Sequence, residues 1–134
     1  MELSILSELL RHADNQINSS TTIFMTILGV VATFCSTQTF RENFHWPLKL
    51  ALSACLTVML VFNRDEIIQQ MLIYNELLSH FPEDEEPWKS LFSSHGVFTE
   101  LSTSMMYWVH AISSTVIHLF VWSKELKGFI SKYI

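Results

Sequence analysis

Met106, His110, Ser114, His118 and Trp122 recur at every fourth position. On an α-helix each such step advances about 40° around the axis, so the five side chains stack on one slanting ridge. Histidine changes charge at about pH 6.5 when unperturbed. Burial without water or a carboxylate disfavours the charged ring. A His–Ser–His ridge along a wet seam therefore has the residue types to relay protons or gate cations. In a dry seam the same residues tie one helix to the next through hydrogen bonds.

His118 and Trp122 form a His-x-x-x-Trp arrangement. This spacing resembles the gating pair of the influenza proton channel, over two residues. The resemblance implies that His118 senses protons and Trp122 acts as the gate. Trp122 also stands next to Lys124, where it suits the aromatic belt at a membrane surface.

A second polar stripe lies earlier in the chain. Thr22, Thr26, Gly29 and Thr33, continued by Ser36 and Thr37, recur at 3,4 spacing. Small and hydroxyl residues let helices approach closely in lipid. The stripe is either a helix-packing face or a wettable pore wall.

Other chemistries find no support. His110 and His118 are eight apart, too far for the one-turn pair of a helical metal site, and no His-Glu-x-x-His occurs. His80, His95 and the acidic loop predict at most loose cation binding, so neither a metal nor a cofactor is expected. Nucleophilic catalysis needs a base and an orienting acid, yet no carboxylate falls within the apolar segments around Cys35, Cys55 or the histidines. No phosphate-binding or Gly-x-Ser-x-Gly motif is present. The sequence predicts a protein that is not an enzyme. With a net charge of −5 and no basic cluster, it also predicts no nucleic-acid partner.

The elements that must position these residues follow from the charge distribution. Only 21 of 134 residues are Asp, Glu, Lys or Arg. None falls between Asn15 and Phe40, between Leu50 and Asn63, or between Leu101 and Ser123. Helices in water carry charge on every exposed turn, whereas a bilayer core of about 30 Å needs about 20 apolar residues. The expected fold is an all-α integral membrane protein with three transmembrane helices, at about 21–40, 46–63 and 101–123. The first apolar run starts too late for a secretory signal peptide, and none is expected. The middle span is short: it crosses if Lys49 snorkels, and otherwise it is a re-entrant or buried piece. Residues 2–40 read as one helix, because Leu3, Leu6, Leu10, Ala13, Ile17, Ser20, Phe24, Ile27, Val31 and Phe34 keep one packing seam.

Two of the spans continue as amphipathic helix. Ile67, Met71, Tyr74 and Leu78 mark one face of the segment after Asn63, and Pro82 ends it. Three crossings place 1–20 and 64–100 on the same side, packed as one acidic layer. Its loop, Glu83, Asp84, Glu85 and Glu86 followed by Trp88, offers a surface for a soluble or membrane protein partner. The opposite side carries Arg41, Lys49, Lys124, Lys127 and Lys132, against Arg11, Arg64 and Lys89 on the layer. The positive-inside rule then puts the amino terminus outside and the carboxyl terminus in the cytoplasm.

Two functions fit. The first is a homo-oligomeric pore or channel subunit, with Thr22, Thr26, Thr33, His110, Ser114 and His118 at the path. Phage holins, viroporins and small membrane effectors are similar in outline. The second is a non-conducting adaptor that recruits a partner through its acidic layer.

Overall fold

The packing seam at 3,4 spacing organises the protein. In the computed structural model, which describes residues 2–80 and 103–134, Leu6, Leu10, Ala13, Ile17, Ser20 and Phe24 are all buried along one side of helix α1 (Leu3–Cys35). Helix α3 (Trp46–Ser79) answers with Leu56, Leu60, Ile67, Met71 and Tyr74, also at 3,4 spacing. Helix α4 (Thr103–Val121) lies against both. The described residues contain no strand. Their buried residues form three clusters stacked along the bundle. Leu6 to Ile17 meet Ile67, Ile68, Met71, Tyr74 and Met106 at one end. Phe24, Leu60 and Ile117 fill the middle. Cys35, Phe40, Leu56 and Val121 close the other end. The amphipathic ends of α1 and α3 thus pack together, as their apolar faces require.

Three helices are long and apolar enough to cross a membrane: Leu3–Cys35, Trp46–Ser79 and Ser104–Val121. Much of their apolar surface points away from the bundle, including Ile23, Met25 and Val30 on α1, Val58, Met59 and Phe62 on α3, and Trp108, Ile112 and Leu119 on α4. Exposed apolar area of that extent marks a surface built to be covered.

Four details differ from the sequence-based expectation. The first helix stops at Cys35 rather than near residue 40. Thr37 takes extended geometry, φ −71° and ψ 149°, and its hydroxyl accepts the Phe40 N–H to cap a separate helix, α2 (Gln38–Asn43). Such local bonds from Ser and Thr compete with helix continuation. Lys49 does not snorkel; it is buried and paired with Glu125. Trp122 breaks the third long helix at Val121, with φ −100° and ψ 11°. Beyond it the chain forms a further, exposed helix outside the three expected spans, α5 (Ser123–Tyr133).

Candidate functional site

The ridge on α4 faces α3. His118 occupies its centre. Its Nδ1 lies 2.6 Å from the Ser114 carbonyl oxygen of its own helix. Its Nε2 lies 3.2 Å from the Ser53 carbonyl oxygen and 3.2 Å from the Thr57 hydroxyl, both on α3. One turn further, the Trp122 indole N–H donates to the Ser53 hydroxyl at 3.0 Å. Ser53, Thr57, Leu60 and Arg64 on α3 repeat at the same 3,4 interval that brings Ser114, His118 and Trp122 to one side of α4. The result is a polar seam between two apolar helices.

His118 has partners for either charge state. When the ring is neutral with its proton on Nδ1, Nδ1–H donates to Ser114 and Nε2 accepts from the Thr57 hydroxyl. When it is charged, Nε2–H donates to the Ser53 carbonyl, and Thr57 turns its hydroxyl to the same carbonyl, 2.9 Å away. Each ring nitrogen therefore has a hydrogen-bond partner in both of these forms.

His110 sits deeper. It is buried against Phe24, with ring centroids 4.1 Å apart. Its Nδ1 is 3.1 Å from the Met106 carbonyl, and its Nε2 is buried with no hydrogen-bond partner. His110 lines a cavity of about 120 Å³ together with Thr57, Leu60, Arg64 and Ser114. That volume has room for water. A second concavity, an open groove of about 430 Å³, is lined by Ser114, His118, Leu119 and Trp122. Ser114 borders both spaces. The Thr57–His118 contact links the residue lining one to the residue lining the other.

Arg64 closes the cavity at the end nearest the amphipathic layer. Its guanidinium bonds Asp65 at 2.8 Å and lies over the Tyr107 ring at 4.8 Å. Beside it, Asn63 Nδ2 donates to the Ser20 carbonyl at 2.9 Å, and its Oδ1 is buried without a partner.

No family model, curated protein or solved structure matches this chain.

The sequence-predicted residues divide into three groups. His110, Ser114, His118 and Trp122 come together with α3 in the seam. The His118–Trp122 pair closes on Ser53 within the chain. Thr22, Thr26 and Thr33 form a separate, exposed face of α1. Each hydroxyl donates to the carbonyl four residues back, at 2.8 to 2.9 Å. Gly29 on that face has open space where a side chain would stand. Glu83, Asp84, Glu85, Glu86 and Trp88 lie outside the described residues. Among the described residues no three His, Cys, Asp or Glu side chains gather where a metal would need them. Ser53, Thr57, Asn63 and Arg64 do not stand out in the sequence as site residues. Ser53, Thr57 and Arg64 share one helical face, at intervals of four and seven, but the apolar residues between them dilute that signal.

Proposed function

We propose that this chain is a three-span integral membrane protein and the subunit of a homo-oligomeric channel that carries protons along the α3–α4 seam. The observation that carries this reading is the placement of His118 between a hydroxyl and two carbonyls, beside two half-open concavities that share Ser114. The ring takes a proton at Nε2 from water on the Thr57 side and becomes imidazolium. It releases its Nδ1 proton to water in the groove, and rotation of the ring with return of the proton to Nδ1 restores the starting form. Trp122 covers the groove beside it and acts as the gate. Copies associate through the Thr22–Thr26–Gly29–Thr33 face, whose small residues let backbones meet closely. The basic edge formed by Arg41, Lys124, Lys127 and Lys132 favours a cytoplasmic carboxyl terminus.

Reconstitution into liposomes with a pH-sensitive dye inside tests the reading. Proton flux should exceed that of empty liposomes and rise as external pH falls from 8 to 5. Flux equal to empty liposomes throughout that range rejects conduction.

One observation favours a second reading. The Trp122 N–H and the His118 ring are already engaged within the chain, as suits a rigid, non-conducting adaptor. That adaptor would recruit its partner through Glu83–Glu86 and Trp88. A stoichiometric second protein that co-purifies in detergent, and is lost when those four acids become Gln or Asn, would support it.

A further inference from the structure

A second polar concavity takes no part in the seam. It is a cleft of about 490 Å³ where α1 and α4 both end. Ser36, Arg41, Phe120, Ser123, Lys124 and Lys127 line it, together with Glu42. Three cationic side chains thus face a single carboxylate. Glu42 is in turn occupied by the Gln38 amide, 2.7 Å away. Lys124 donates to the Arg41 carbonyl at 3.1 Å, which holds the first turn of α5 against α2. Guanidinium and ammonium donors on one cleft, with the Ser123 hydroxyl beside them, suit a phosphate group. Phe120, exposed at the last turn of α4, adds an apolar wall.

The helix that borders the cleft is itself two-sided. Leu126, Phe129, Ile130 and Tyr133 fall on one face of α5, and Lys124, Lys127, Ser131 and Lys132 on the other. None of its residues is buried; Phe129 is 63% exposed and Tyr133 67%. Its single acid, Glu125, has its charge met by Lys49 at 2.6 Å. What remains is an apolar face beside a basic face, starting where the long apolar helices stop. Helices of this kind lie in the plane of a membrane surface.

We propose that the cleft of Arg41, Lys124 and Lys127 is a binding site for the headgroup phosphate of an anionic phospholipid, whose chains run beside Phe120 while α5 lies in the interface. The site rests on the membrane placement proposed above, and not on conduction. The occupant is a lipid rather than a free anion, because the cations adjoin apolar surface on both Phe120 and α5. It is an anionic lipid because a zwitterionic headgroup would bring a cation of its own into a cleft where three cationic side chains already stand against one carboxylate.

Native mass spectrometry of the full chain, purified in neutral detergent, tests the site. The probes are phosphatidylglycerol, phosphatidylcholine and inorganic phosphate at equal concentration. Phosphatidylglycerol should be retained at least about tenfold more than phosphatidylcholine, since each nearby lysine or arginine favours an anionic surface about fivefold. Lys127→Gln alone should lower retention about fivefold, and Arg41→Gln with Lys127→Gln should bring it to the phosphatidylcholine level. Lys132→Gln, outside the cleft, should leave it unchanged. Equal retention of the two lipids, or undiminished phosphatidylglycerol in the double variant with its helicity intact, overturns the site. Inorganic phosphate bound as well as the lipid marks a free-anion site and overturns the lipid assignment. A protein that stays monodisperse in buffer without detergent overturns the membrane placement itself.

Discussion

The Lys49 ammonium lies 2.6 and 2.8 Å from the two carboxylate oxygens of Glu125, a residue 76 positions away. Lys49 is 1% exposed and Glu125 39%. The ammonium also stands 5.3 Å from the centre of the Phe40 ring. This contact joins the first turns of α3 and α5 and fixes α5 beside α2.

The two partners should respond unequally to removal. Glu125→Gln leaves a buried ammonium without its counter-charge, which costs about 3 kcal/mol. Lys49→Met replaces the charge by an apolar chain against Phe40 and should cost less than about 1 kcal/mol. Thermal unfolding in detergent measures both. Equal losses would mean that Lys49 reaches water after all.

Acid should release α5. Partial burial pushes the Glu125 carboxyl up, but the Lys49 hydrogen bond, its own backbone N–H and the charges of Lys49 and Lys124 outweigh that and hold it below the ordinary value of 4.5. A carboxyl lowered by folding stabilises the fold while ionised. That contribution is complete above pH 4.5 and is lost as pH falls through the lower folded value. Hydrogen exchange over 123–134, corrected for intrinsic rates, should therefore accelerate below pH 4.5. The Glu125→Gln protein should show no such step.

His118→Ala should reduce proton flux at least about tenfold, the scale on which a positioned proton-transfer group contributes. Oligomer size should not change, because Ser53 and Trp122 still hold α3 to α4. Undiminished flux would move the path away from the seam.

His110→Phe should stabilise the protein by about 1 kcal/mol. The substitution removes a buried nitrogen that has no partner and keeps a ring against Phe24. It should also lower flux, because the polar cavity loses its deepest group. A destabilised variant would show that Nε2 does have a partner.

Gly29→Leu should separate folding from assembly. A side chain at this position meets nothing within 4 Å in the protomer, and Leu favours helix over Gly by roughly 0.8 kcal/mol. Unfolding should be unchanged or raised, while cross-linking and light scattering show smaller particles. An intact oligomer would place the association face elsewhere.

The interior of the bundle was legible because burial against a helix repeats at the helical period. Leu6, Leu10, Ala13, Ile17, Ser20 and Phe24 show this seam in sequence, and all six are buried. The same period revealed Ile67, Met71 and Tyr74, and the ridge from Met106 to Trp122. It did not reveal the break at Ser36, where the next residue, Thr37, turns extended and caps a separate helix. Nor did it reveal α5, because Trp122 ends one helix and begins another without a proline or glycine.

Sequence by itself determined the three long helices and the sides they bury, because both follow from neighbours three and four residues apart. It also determined that all three are apolar enough to leave water. Only the tertiary structure decided which polar groups meet. Lys49 finds Glu125, His118 finds Ser53 and Thr57, and Arg41 finds Lys124, across separations of 61 to 83 residues. No local period encodes such pairings. They exist because the packing of α1 on α3, with α4 laid across both, sets the register at which these side chains come within reach.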